Sequence, residues 1–362
     1  MNDTQLQSET ISYLRFPLIV AVILIHSSIS PGTINWLMGT YGEFGHGTYD
    51  SVSFLISDVI ARMAVPVFFL SSGFLFFYNT KEWNSETYGY KVKRRIKSLV
   101  LPYLFWCGLT LLIYFLVQSK PSGAAMFSVK DLPIRDYGVT DFLNAFWATP
   151  KEGVPLLYPF WFIRDLIVVC LFSPLVWWAV RYLKVAGVLA LGCCWFFDLF
   201  GMPGFSPVTF FFFSLGAYFS IHRINMVATI QKLTYWPLLL YPILAIADLI
   251  TMKYPFHAYL HNLGILLGIA CMINLVSSGL KNNRIHTSAF LSNASFFVFS
   301  IHEPALKFIK KLLIYLIEPQ HEISLFVIYL LPMIVIVGLA LSIYYLMLRL
   351  FPGFLRFVSG GR

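Results

Sequence analysis

Charge is scarce in this chain. Asp, Glu, Lys and Arg together make up 12% of its 362 residues, about half of what soluble domains carry. Too little charge remains to clothe a water-facing surface of that size. Cysteine is as sparse: Cys107, Cys170, Cys193, Cys194 and Cys271 form an odd set inside apolar runs, with no metal-ligand spacing. They read as packing residues, and no disulfide framework is implied. The alternation of membrane-barrel strands is missing, as are an internal repeat, a low-complexity linker and an attached soluble domain. A basic leader is missing too. Small residues at Ser27 to Ser30 follow the first apolar run as in a signal peptide, but Asp3 and Glu9 precede it, so that run is expected to be retained as a span.

What is present is apolar: 58% of residues are hydrophobic, and most fall into runs long enough to cross about 30 Å of hydrocarbon. The fold class expected is all-α, a polytopic membrane helix bundle of about ten transmembrane helices forming a single membrane-embedded domain over 1–362. The spans fall at approximately 12–31, 54–78, 98–118, 160–180, 183–200, 206–221, 234–252, 257–278, 289–309 and 323–350. Pro203, Pro207 and Pro255 mark short connections among the fifth to eighth. An extracytoplasmic loop at about 119–159 is the one sizeable segment outside the spans. Within it, Thr140 is placed to cap a short helix through Trp147, which reads equally as a substrate gate or as an interfacial helix with an aromatic anchor.

The net charge of +9 raises nucleic acid as a partner, but its placement answers to the bilayer instead. With the amino terminus in the cytoplasm, inner loops collect Lys81, Lys91, Lys93, Arg94, Arg95, Lys97, Arg181, Lys184, Arg223, Lys232, Lys281 and Arg284, while the first outer loop holds no Lys or Arg. Both termini are then cytoplasmic. Basic residues of the long loop are balanced by Asp131, Asp136, Asp141 and Glu152, and Lys307, Lys310 and Lys311 are expected to snorkel at the outer interface.

Polar residues inside the spans carry the functional reading, because an ionisable group in hydrocarbon costs several kcal/mol and persists where a cavity, partner or reaction receives it. Arg15 and His26 share the first span, roughly 16 Å apart along a helix. Arg15 lies near the cytoplasmic face and His26 in the outer half. His302-Glu303-Pro304 on the ninth span reaches the same depth, so the two histidines are expected to meet. Arg62 and Arg164-Asp165 also lie in the outer half, where structural ion pairing is the favoured reading. For His26 the proton-transfer reading is favoured, since a neutral imidazole near its ordinary pKa takes and returns a proton. His257 and His261, four apart on one helix face, would suit a metal, but no third ligand is evident and no metal is expected.

Two further features hold two readings each. The run Lys91, Lys93, Arg94, Arg95 and Lys97 is a topology signal or an anion site for phosphates, and Arg15 at the same depth inclines it toward a phosphate-bearing ligand. In the second span, Pro66 and the Ser71-Ser72-Gly73 patch serve close helix packing, or leave room for a slender pantetheine arm.

Arg15, ten intervening residues and His26; Val67-Phe68-Phe69-Leu70-Ser71-Ser72-Gly73-Phe74; Phe160-Trp161-Phe162-Ile163-Arg164-Asp165-Leu166 with Ser173-Pro174; and Ser300-Ile301-His302-Glu303-Pro304 follow in order on four spans. In these motifs, and over nearly its whole length, the chain resembles acyltransferase family 3, integral membrane acyltransferases of cell-surface sugars and related hydroxyl-bearing molecules. One motif departs. The family often shows two arginines separated by two residues before a Pro-Tyr; here Pro102-Tyr103 is present, but Lys97 follows Arg94 at that spacing and Ser98 follows Arg95.

The resemblance implies an acyl donor, commonly acetyl-CoA, used from the cytoplasmic side, with a glycan or glycolipid acceptor outside the cytoplasmic membrane of a bacterium. The expected reaction is O-acetylation. Arg15, Arg94, Arg95 and Lys97 would hold the CoA phosphates, with Ser71 and Ser72 beside the arm. His26 would act as general base or carry the acyl group transiently, and His302 with Glu303 would orient it or bind the acceptor. Trp161 and Trp147 would stack on sugar, with Arg164 and Arg62 at the same acceptor side. The rival class is a transporter or flippase for a lipid-linked sugar or organic anion, against which stands the lack of an inverted repeat or paired broken helices.

Overall fold

The computed structural model describes residues 1–29, 47–80, 82–120 and 132–361. Among them the chain is helical, and the closest approach to a sheet is an isolated bridge between Met202 and Phe205. Helix α1 (Asp3–Ser27) begins well before the expected limit at 12, because Asn2 caps it by accepting the Gln5 N–H at 2.8 Å and Asp3 favours the positive end of the helix dipole. Pro17 sits inside α1 without ending it. The second span begins with α2 (Thr48–Phe54), which runs through a wide π turn at Leu55–Ile60 and a tight 3-10 turn at Ala61–Met63 into α3 (Ala64–Phe77).

Next come α4 (Ser85–Arg95) and α5 (Leu101–Gln118), joined by a second π turn at Ile96–Val100, and then α6 (Val139–Trp147) in the long loop. The α6 cap differs from expectation. Gly138 takes the N-cap position, not Thr140, because Asp141 reaches back to accept the Gly138 N–H at 3.0 Å.

The fourth and fifth spans are α7 (Trp161–Leu171) leading into α8 (Ser173–Trp178), and α9 (Lys184–Phe196). The chain changes direction between them. Lys184 has φ 52°, and a Cβ on Gly187 would lie 3.2 Å from the Ala179 carbonyl oxygen. In a straight helix residues eight apart stand about 12 Å from each other, so the chain has folded back here.

The remainder is α10 (Pro207–Ile221), α11 (Met226–Gln231), α12 (Trp236–Thr251), α13 (His257–Lys281), α14 (Ala289–Ile317), α15 (Glu322–Leu350) and α16 (Pro352–Val358). Among the described residues six helical stretches are long and apolar enough to cross a membrane, Asp3–Ser27, Thr48–Phe77, Ser85–Gln118, Ser173–Phe196 (α8 and α9 with the turn between them), His257–Lys281 and Glu322–Leu350, and α10 and α12 are shorter apolar helices. Helix α14 has the length, 29 residues, but interrupts its apolar character with His302, Glu303 and three lysines.

Packing is closest between α3 and α10. A Cβ on Gly73 would stand 1.9 Å from the Phe213 carbonyl oxygen, and one on Gly216 would stand 1.9 Å from that of Leu70. The two backbones touch at paired glycines, which is how helices gain dispersion contacts in a medium without a hydrophobic driving force. Gly73 therefore serves close packing, and its face of α3 is filled by α10. The buried core runs from Leu14, Leu18 and Val22 of α1 through Phe69 and Phe77 of α3 to Phe212 and Phe213 of α10 and Phe297 of α14.

Candidate active site

His26 occupies the last turn of α1, where four carbonyls lack partners within the helix. Side chains from two other spans fasten that end. Lys310 of α14 donates to the His26 and Ser28 carbonyls at 2.9 and 2.8 Å, and Ser57 of the π turn donates to the Leu24 carbonyl at 2.8 Å. Tyr49 of α2 accepts the Ile29 N–H at 3.2 Å. Lys310 thus turns inward as a helix C-cap instead of snorkelling as the sequence suggested, because orphan carbonyls near it outcompete interfacial water. This fastening fixes the backbone from which the His26 imidazole projects.

Helix α14 brings His302 to that imidazole, with ring centroids 5.6 Å apart. The His302 ring is fully buried, and its Nδ1 donates to the Phe299 carbonyl one turn back. That bond fixes the tautomer: Nδ1 carries the proton, and Nε2 is left as an acceptor. Nε2 is buried without a hydrogen-bond partner among the described residues. Next to it Glu303, buried, pairs with Lys307 at 3.5 Å. Tyr158, from the end of the long loop, closes the other side of His26 with its ring edge-on at 5.3 Å.

Lys307 leads outward from this cluster. It lines a cavity of about 480 Å³ together with Lys311, Lys151, Glu152, Asp141 and Tyr114, between α5, α14 and the folded loop. A cavity that size accommodates one or two sugar units, and its lining mixes aromatic, acidic and basic groups.

Arg164 and Asp165 of α7 are buried at 5% and 1% exposure and pair at 2.9 Å. The Arg164 guanidinium also donates to the Trp147 carbonyl at 2.6 Å and the Gly153 carbonyl at 3.2 Å, and lies over the Trp147 ring at 5.5 Å. Tyr103 of α5 donates to the Phe146 carbonyl. These side chains bind α6 and the turn after it down onto the bundle, so Arg164 and Trp147 hold each other. Replacing Arg164 by lysine keeps the charge but loses the planar fork. The expected outcome is faster limited proteolysis within 139–157 by tenfold or more, with α1 and its histidine undisturbed; unchanged cleavage would show that the fork does not fasten the loop.

The remaining candidates sit apart. Arg62 pairs with Asp58 at 2.6 Å on a half-exposed turn of helix, the ion pairing favoured from sequence. Trp161 is half-buried against Phe69 of α3, ring centroids 6.4 Å apart. Arg15, half-buried on α1, makes no ion pair among the described residues. Arg95 lies over the Phe76 ring at 5.4 Å, and Lys91 donates to the Phe76 carbonyl, so the basic run partly caps α3; Arg94 and Lys97 are exposed. Ser71 and Ser72 are half-buried on α3.

The profile of the acyltransferase domain matches residues 9–345, from before Arg15 to near the end of α15. The chain belongs to acyltransferase family 3. Among relatives of this chain is the succinoglycan biosynthesis protein ExoH of Rhizobium meliloti (strain 1021), 26% identical over 234 residues, covering 60% of this chain. The chain spans about half the length of that curated relative, 55% of it. No solved structure matches the chain. The His26 and His302 cluster therefore lies in a membrane-embedded member of that family. The sequence pointed to both histidines but not to Tyr158 or the inward roles of Lys307 and Lys310. The signal for the lysines was their i+4 and i+7 spacing from Glu303, which places all three on one side of α14.

Proposed function

We propose that this acyltransferase moves an acetyl group from acetyl-CoA, presented at the cytoplasmic side of a bacterial inner membrane, to a hydroxyl of a glycan or glycolipid on the outer side. The observation that carries the reading is the approach of the His26 and His302 rings at the end of the helix that also bears Arg15. An acceptor at His302 Nε2 favours His26 as its N–H donor, so the other His26 nitrogen keeps a lone pair for the hydroxyl proton. His26 is then the general base. The deprotonated hydroxyl oxygen attacks the thioester carbonyl, a C–O bond forms, the C–S bond breaks, and the CoA sulfur leaves as thiolate and takes up a proton. His302 is the orienting partner, and Glu303 with Lys307 links the pair to the cavity where the acceptor is received.

The donor end of this reading is Arg15 with Arg94, Arg95 and Lys97 around the CoA phosphates, and Ser71 and Ser72 along the pantetheine. Positive-inside placement of the basic run supports this orientation, with both termini cytoplasmic. The name of the ExoH relative, a succinoglycan biosynthesis protein, supports a polysaccharide acceptor.

The test is purified protein with acetyl-CoA labelled in the acetyl group and a membrane extract of glycolipids. Labelled glycan and released CoA are expected; uptake of an unaltered sugar lipid without CoA release would favour a flippase. Charge-assisted phosphate contacts contribute roughly 1.5–3 kcal/mol each. Arg15→Ala and Arg95→Ala should each weaken acetyl-CoA binding by about tenfold or more. Unchanged affinity in both variants would return the basic run to a topology signal.

A further inference from the structure

Away from the transfer site, the hairpin between α12 and α13 gathers three metal-ligating side chains. Asp248 stands in the last turn of α12, and His257 and His261 in the first turns of α13. Their donor atoms all lie within 4.8 Å of one another. Sequence reasoning found the two histidines on one face and lacked a third ligand; the fold supplies it from the preceding helix.

The carboxylate is the unusual member. Asp248 is 1% exposed on a helix whose Leu239, Ile243, Ile246 and Ile250 point outward from the bundle. Burying a carboxylate there costs several kcal/mol unless positive charge offsets it. Asp165 has Arg164 and Glu303 has Lys307 for this purpose, whereas Asp248 stands against two imidazoles.

Geometry distinguishes a cation site from simple hydrogen bonding. His261 Nδ1 lies 2.8 Å from Asp248 Oδ2. His257 Nδ1 lies 3.0 Å from Asp248 Oδ1, yet neither atom has a hydrogen-bond partner among the described residues, although both are buried. A ring nitrogen and a carboxylate oxygen at that distance that are not hydrogen-bonded to each other both keep a lone pair for a ligand. Ligands at about 2.0–2.2 Å from one ion stand about 3–4 Å apart, which a small closing of this cluster provides.

We propose that Asp248, His257 and His261 bind one divalent cation of the zinc class, which staples the outer ends of α12 and α13 across residues 252–256. Two imidazoles and one carboxylate suit zinc over calcium or magnesium, which prefer all-oxygen shells. Three protein ligands leave a fourth position for water. The role is structural, and it stands independently of the transfer reaction.

The experiment uses the tag-free full chain in detergent, stripped with chelator and reloaded with zinc or cobalt. One equivalent of zinc per chain by elemental analysis, visible d–d bands with cobalt, and a melting temperature raised by several degrees are expected. His257→Ala and His261→Gln should each lose the metal and the thermal shift while eluting as wild type does. His286→Ala, outside the cluster, should keep both. Should Asp248→Asn fail to fold, the histidine variants carry the test. Wild-type protein without stoichiometric zinc or a thermal shift would overturn the proposal, as would full metal content in the double variant His257→Ala/His261→Gln.

Discussion

Replacing His26 by alanine is expected to abolish acyl transfer while leaving the chain folded in the membrane. The side chain projects from the end of α1 into a polar cluster, and the contacts that fasten this turn are made by backbone carbonyls that any residue supplies: Lys310 to residues 26 and 28, and Ser57 to residue 24. Truncation therefore removes the imidazole without removing its scaffold. General base catalysis contributes typically about 10²–10⁴-fold, so the loss should be at least two orders of magnitude. Acetyl-CoA affinity should hold, because the proposed phosphate contacts lie roughly 16 Å away along the helix. Labelled transfer and donor binding measured on the same preparation separate the two; a His26→Ala enzyme turning over at the wild-type rate would remove the imidazole from the mechanism.

The second large effect is on stability. Gly216→Ala should cost about 3 kcal/mol or more, because its new methyl group would stand 1.9 Å from the Leu70 carbonyl oxygen, and both partners are helix backbone that cannot rotate aside. Gly73→Ala meets the Phe213 carbonyl in the same way. Gly89→Ala is the internal comparison: nothing stands within 4 Å of the added methyl, and glycine within a helix is itself unfavourable, so that change should be neutral or stabilising. Thermal unfolding in detergent, followed by tryptophan fluorescence, reads all three. Similar melting temperatures for Gly216→Ala and Gly89→Ala would contradict the close contact between α3 and α10.

The meeting of His26 and His302 was legible because it needs little information: two helices running the same way and one residue at equal depth on each. The change of direction at Lys184 falls where the sequence puts Arg181 and Lys184 in an inner connection between apolar runs. Other parts were hidden by how far side chains reach. Lys310 looks like an interfacial anchor in one dimension, and only the position of α1 beside α14 turns it into a cap. Arg164 could have faced a sugar or a carbonyl; the folded loop, whose path a hydropathy pattern does not encode, puts the Trp147 and Gly153 carbonyls in front of it. The early start of α1 was missed because Thr4 to Thr10 is polar, and apolar periodicity marks the lipid-facing length of a helix and not its capped end. Asp248 had a signal that went unused: the last turn of one span and the first turn of the next are neighbours across a short hairpin.

The wide turn at Leu55–Ile60 makes the second span a counting device. One extra residue in a helical turn rotates everything before it by about 100° relative to everything after it. Tyr49, which accepts the Ile29 N–H, lies on one side of that offset, and Gly73, pressed on α10, lies on the other. Both are placed correctly only while the offset persists. Length between these two residues is therefore under the same constraint as their identity: a substitution within Leu55–Ile60 alters one contact, whereas losing a single codon there would swing the whole preceding segment away from the end of α1.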